Sequence, residues 1–167
     1  MEAARTNIEL LPLRLDGNLG QLPLRSHAHY QREELLSALK WTSLSRRPGT
    51  HREGVLWSEE TQTDLFLINL HKDAKSFSET TMYRDIPVTK DLFDWESQST
   101  TSQHTPTGQR YINHLQNGTN ILLAVRNSPK DEIGTAPFML LGTASLVSYD
   151  GERPIQFRWR LHRSMPA

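Results

Sequence analysis

Cysteine is missing altogether from this chain of 167 residues. Its absence excludes a disulfide framework, a thiolate-ligated zinc or iron–sulfur centre and a thiol nucleophile. Net charge is missing too, since 19 Lys and Arg balance 19 Asp and Glu. Proteins that coat nucleic acid without specificity are strongly basic, so the balance argues against that class. Long apolar runs are lacking: the longest, at 121–125, has five residues, against the roughly 20 of a membrane-spanning helix. Glu2 and Arg5 flank no apolar stretch that could serve as a signal peptide. There is no glycine-rich phosphate loop, no nucleophile elbow and no His-Glu-x-x-His motif. Hydrophobic residues make up 36% and the mean hydropathy is −0.59, polar for a globular domain but not a disordered composition. The chain reads as one soluble, cytoplasmic domain with a real core and no membrane contact. No metal and no cofactor is called for.

The overall balance conceals a gradient. Residues 51–100 carry five basic against ten acidic side chains, whereas residues 101–167 carry seven against four. Four of those seven are Arg153, Arg158, Arg160 and Arg163 near the end. They read either as a solvated strand edge or as contacts to phosphates.

Residues 1–21 are punctuated by Pro12, Gly17 and Gly20, so they read as a linker or tail that adds little to the fold. Residues 22–167 form the domain. Leu35, Leu36 and Leu39 share one face of a predicted helix at 30–40, with acids early and Lys40 late. Strands are predicted at 54–57, 64–70 and 93–99, and a central one at 120–126. A helical turn capped by Thr89 precedes the third, and a turn is predicted at 46–49. Residues 138–149 and 155–161, joined through Asp150-Gly151, form a hairpin. This is an α+β pattern: a β-rich curved sheet or partly closed barrel with one or two short helices.

Candidate chemistry is sparse. His27 and His29 could share a metal on a strand, but no third ligand is evident, and packing at the helix start is the plainer reading. Asp91, Asp94 and Glu96 could hold magnesium as a nuclease would. However, Asp94 and Glu96 alternate with Trp95 and point away from it, so a solvated face is the plainer reading. Residues 97–107 read SQSTTSQHTPT, with seven Ser or Thr and no formal charge. Such a composition does not make core. It is a disordered loop, or a loop whose hydroxyls and backbone contact phosphates, with Arg110 as the charged anchor. Tyr83, Phe93 and Trp95 precede it, and aromatics beside such a loop suit a stacked or flipped base.

Several blocks carry a resemblance. They are Tyr83-Arg84-Asp85, the run Leu92-Phe93-Asp94-Trp95-Glu96-Ser97-Gln98-Ser99, and Thr107-Gly108-Gln109-Arg110-Tyr111-Ile112-Asn113. Phe138 to Gly142, Gly151-Glu152-Arg153-Pro154, Trp159-Arg160-Leu161 and the ending Met165-Pro166-Ala167 extend it. From about Leu22 to Ala167 the chain resembles a bacterial domain of unknown function that follows DEAD/DEAH-type helicase modules. Some proteins of that kind are type IV, modification-dependent restriction enzymes. The family is similar to the PUA-like and SET-and-RING-associated (SRA) readers, which flip a modified base into a pocket. This chain departs from the family pattern at Asp94 and Glu96, where His and Gln are usual, and at His29, where Arg is usual.

The resemblance implies a binding module, not an enzyme, that recognises 5-methylcytosine or 5-hydroxymethylcytosine in duplex DNA. Nuclease or ATPase work would belong to helicase or nuclease domains in the same or another chain. Tyr83 and Trp95, with Phe93 beside them, are the expected stacking residues, and Asp85 the acceptor for the cytosine amino group. Ser97, Gln98 and Ser99 would complete the polar edge. Thr100, Thr101, Arg110, Tyr111, Arg158 and Arg160 would face the DNA backbone. The rival reading is a structural or protein-interaction domain that braces a helicase, with Trp95 and Tyr83 in the core.

Overall fold

The computed structural model describes residues 11–41, 54–70 and 86–166. In chain order the elements are β1 (Leu13–Arg14), β2 (Arg25–Ser26), β3 (His29–Tyr30), α1 (Arg32–Ala38), β4 (Val55–Ser58), β5 (Thr63–Asn69), β6 (Ile86–Pro87) and β7 (Leu92–Glu96). After these come α2 (Pro106–Ile112), α3 (His114–Asn117), β8 (Asn120–Arg126), β9 (Phe138–Asp150) and β10 (Gln156–Leu161). No helix among the described residues is long and apolar enough to cross a membrane.

The two most continuously apolar strands, β5 and β8, lie side by side and parallel, from Thr63 opposite Asn120 to Asn69 opposite Arg126. Runs of this kind are buried on both faces. The main sheet has the order β4-β5-β8-β9-β10-β7-β6, with β3 also pairing β9; every pairing except β5–β8 is antiparallel. The small ribbon β1–β2 is a separate sheet that packs against β9, where the His27 N–H donates to the Leu140 carbonyl at 2.6 Å.

Side-chain alternation divides the core in two. Phe66, Ile68, Ile121, Leu123, Phe157 and Trp159 face one side, where the aromatic residues gather. Leu65, Leu67, Leu122 and Leu140 face the other, beneath the leucines of α1 and of the N-terminal segment. Among the described residues the sheet does not close into a barrel, because β4 and β6 end its strand order. It is nevertheless strongly curled. Four strand spacings separate β5 from β7, about 19 Å in a flat sheet, yet the rings of Phe66 and Trp95 lie 3.9 Å apart.

The predicted helix at 30–40 forms as α1. It opens on a capping box in which the Gln31 backbone N–H donates to Glu34 Oε1 at 2.8 Å. The predicted strands at 54–57, 64–70 and 120–126 and the hairpin at 138–161 are present. Thr89 does cap, accepting from the N–H groups of Asp91 and Leu92 at 3.2 and 3.1 Å, but it leads into β7 instead of a helical turn. The turn at 46–49 lies outside the described residues. The expectation for the tail needs correction over 11–21: Leu15 and Leu19 are buried in the leucine core. Gly and Pro punctuation there shapes a compact segment, including a 3-10 turn at Gly17–Gln21, and does not free it.

Candidate nucleic-acid interface

The hydroxyl-rich loop after β7 is built, not loose. Ser97 Oγ accepts from Ile155 N at 2.9 Å and donates to the Gln98 carbonyl at 3.2 Å. The Thr101 carbonyl accepts from Arg153 N at 3.0 Å, and Gln103 Nε2 donates to the Gly151 carbonyl at 2.9 Å. Ser97, Thr101 and Ser102 are buried. The expectation that this segment supplies no core is therefore corrected, because short hydroxyl side chains satisfied by neighbouring backbone can be buried cheaply. The loop passes into α2, a helix that the sequence pattern does not announce. Thr105 is its N-cap, accepting from Gly108 N at 3.1 Å, and Pro106 opens it. A Cβ on Gly108 would stand 2.0 Å from the Ser102 carbonyl oxygen, so only glycine allows helix and loop to approach this closely.

Alongside lies a cleft of about 180 Å³ that includes Trp41, Trp57, Gln98, Thr107 and Arg110 in its lining. The Arg110 guanidinium forks onto Asp64, with Nε to Oδ2 and Nη2 to Oδ1, both at 2.8 Å. It also lies 4.5 Å from the centre of the Trp57 ring. Asp64 is 1% exposed; burial pushes its carboxyl pKa upward and Arg110 opposes that shift. Gln98 Oε1 accepts from Thr101 Oγ1 at 3.2 Å and makes a long contact of 3.5 Å with the Tyr111 hydroxyl.

Three expected site residues thus converge: Gln98, Arg110 and Tyr111. Asp64 and Trp57 complete the arrangement unannounced; the one available signal was an acid opening an otherwise apolar strand. The remaining residues scatter. Tyr83 and Asp85 lie outside the described residues. Phe93 and Trp95 belong to the aromatic core, which Tyr111 joins from the cleft side, and Trp95 stacks on Phe66 with their planes 7° apart. Ser99 and Thr100 are exposed. Arg158 forks onto Asp94 at 2.7 and 3.0 Å, and these two, with exposed Arg160, alternate away from the aromatic side of the sheet. His27 is buried and His29 is exposed on β3. A larger cleft, about 540 Å³, opens at the far end of β5 and β8 beside Leu70 and Arg126.

Residues 24–167 match the family described as a domain of unknown function, DUF3427. The chain belongs to this family. No curated protein matches the DUF3427 chain in sequence. In fold it is similar to part of a crystal structure of Arabidopsis thaliana SUVH6 in complex with SAM. The TM-score is 0.50 at 10% identity, over 94% of this chain and 29% of that one. The DUF3427 chain therefore spans less than a third of the SUVH6 chain, and at this identity the likeness concerns the fold alone.

Proposed function

We propose that this chain is a DNA-reading module that draws one modified cytosine, 5-methylcytosine or 5-hydroxymethylcytosine, out of the stack. The observation that carries the reading is the cleft beside the hydroxyl-rich loop of an SRA-like curled sheet. At about 180 Å³ it is smaller than the roughly 300–1,000 Å³ of ordinary small-molecule sites, a size suited to one ring. Gln98 supplies an amide to the base edge. Asp64 and Trp57 hold Arg110 in place at the rim. Exposed Ser99 and Thr100 offer hydroxyls to the backbone, with Thr101 buried behind them supporting the loop. Tyr83 and Asp85 stack on the base and accept from its amino group. Phe93, Trp95, Ser97 and Tyr111 support the wall from within. Arg158 and Arg160 serve phosphates of a strand passing the other face.

Flipping costs a few kcal/mol. The neutral charge supplies few phosphate contacts, so a tethered helicase or nuclease holds the DNA and does the chemistry. The module itself is not an enzyme, and it works in the cytoplasm.

One observation favours the rival reading of a domain that braces a helicase: Trp95 is 5% exposed and packed in the core. Fluorescence anisotropy on matched duplexes, with and without one 5-methylcytosine or 5-hydroxymethylcytosine, separates the two. A reader prefers a modified duplex at least tenfold, and Gln98→Ala reduces the preference with the melting temperature unchanged. Equal affinity for all duplexes leaves the bracing domain.

A further inference from the structure

The larger cleft lies where the parallel strands β5 and β8 end at Asn69 and Arg126 and where β9 begins. Its volume of about 540 Å³ falls within the range of small-molecule sites, which join apolar walls to a few polar groups. Val125, Met139, Leu141 and Met165 supply the apolar lining. Methionine side chains adapt to flat or irregular bodies and make favourable sulfur–aromatic contacts.

Among the described residues Arg126 is the cleft's arginine, and the partners it has there are neutral. Nε donates to Asn69 Oδ1 at 2.7 Å, Nη1 donates to the Ala136 carbonyl at 3.0 Å, and the guanidinium lies 4.1 Å from the centre of the Phe138 ring. Among the described residues no acidic side chain pairs with it. Burial pulls its pKa down, and repulsion from Arg32 adds to the effect. A partly desolvated cation whose partners among the described residues are all neutral gains from any anion that reaches it. Asp131 also lines the cleft, but its Oδ1 accepts from the N–H groups of Ile133 and Gly134 at 2.8 and 3.0 Å and closes its own turn. Exposed His29 adds a further donor at the rim.

We propose that this cleft is a binding site for a small organic anion, its carboxylate or phosphate on Arg126 and its apolar or aromatic body against Met139 and Met165. The site is separate from the cleft beside Arg110, and its occupation does not depend on DNA reading.

Titration calorimetry on the full chain tests it with two probes, phenyl phosphate and deoxycytidine monophosphate. Inorganic phosphate, phenol and deoxycytidine represent the separate halves. At least one probe should bind tenfold or more tightly than either of its halves. Arg126→Gln should weaken that binding tenfold or more, and Arg126→Lys, which keeps the charge and loses the fork, by a smaller factor. With methyl-labelled methionine, the Met139 and Met165 resonances should shift on binding in the parent. That readout holds even if Arg126→Gln lowers the melting temperature. Absence of binding by both probes at millimolar concentration overturns the proposal. So does binding that leaves the two methyl resonances in place, or that is equally tight for the uncharged halves.

Discussion

Replacing Trp95 by Ala removes a ring stacked on Phe66 and flanked by Tyr111 and Phe157 at 5.7 and 5.9 Å. A hole of that size in an aromatic core costs about 3–5 kcal/mol. Trp95→Ala should therefore lower the urea midpoint sharply, while the folded fraction keeps its ratio of affinities for modified and plain duplex. A selective loss of that ratio at unchanged stability would return Trp95 to the base-stacking role. Burial governs His114 differently. The Leu146 N–H can only donate, and it lies 3.1 Å from His114 Nε2, so the ring's proton sits on Nδ1, 3.3 Å from the Thr119 carbonyl. Burial holds the His114 pKa below its ordinary 6.5; the Thr119 carbonyl opposes this and His162 adds to it. The unfolded imidazole thus takes up a proton near pH 6.5 while the folded one still resists. The unfolded state binds more protons in that window, so stability is retained above about pH 6.5 and falls as the pH drops below it. Urea midpoints at pH 7.5, 6.5 and 5.5 should show that fall in the parent and a flatter profile in His114→Gln.

At the scale of elements, α2 and the loop before it form one unit whose fit rests on Gly108. An alanine Cβ would meet backbone, 2.0 Å from the Ser102 oxygen, so loop or helix must move. Gly108→Ala should cost at least about 3 kcal/mol, within the range of severe backbone clashes. A melting temperature equal to the parent's would mean that helix and loop do not pack this closely. Much of the sheet was legible in the sequence, because β5 and β8 carry unbroken apolar runs at 65–68 and 121–125 and β9–β10 turn at Asp150-Gly151. The helix α2 was not: it buries only Gly108 and Tyr111, so it lacks the apolar stripe that periodicity detects, and its Thr105-Pro106 start sits inside a polar run. Gln98, Arg110 and Tyr111 could be singled out because they lie in the hydroxyl-rich loop or within a few residues of its end. Asp64 could not, since its partner Arg110 is 46 residues away and only the fold joins them. Nor does alternation along β7 tell a pocket wall from core, because both bury the face that carries Phe93 and Trp95.

The molecule as a whole is a curled sheet with a core on each side, and the leucine side is completed from outside the family match. That match begins at residue 24, yet Leu15, Leu19 and Leu22 lie in the leucine core with Leu65 and Leu122. Side chains also tie this segment down. Asn120 Nδ2 donates to Asn18 Oδ1 at 3.0 Å, and Arg163 Nη1 donates to the Ser26 carbonyl and hydroxyl at 3.2 and 2.9 Å just beyond the segment. Deleting residues 1–21 would expose the leucine face of the central strands. Each buried leucine contributes about 1.5–3 kcal/mol, an upper estimate because unfolded chains already bury some surface. Loss of Leu15 and Leu19 alone should then cost roughly 3 kcal/mol or more, a large fraction of the total stability of a domain this size. The single substitution Leu19→Ala should cost about 2–5 kcal/mol, as in other fully buried sites. Urea unfolding of the parent, the 1–21 deletion and Leu19→Ala, with a 1–10 deletion as control, distinguishes docking from decoration. If the 1–21 deletion melts with the parent, the leucine core closes without this segment and residues 11–21 are an accessory after all.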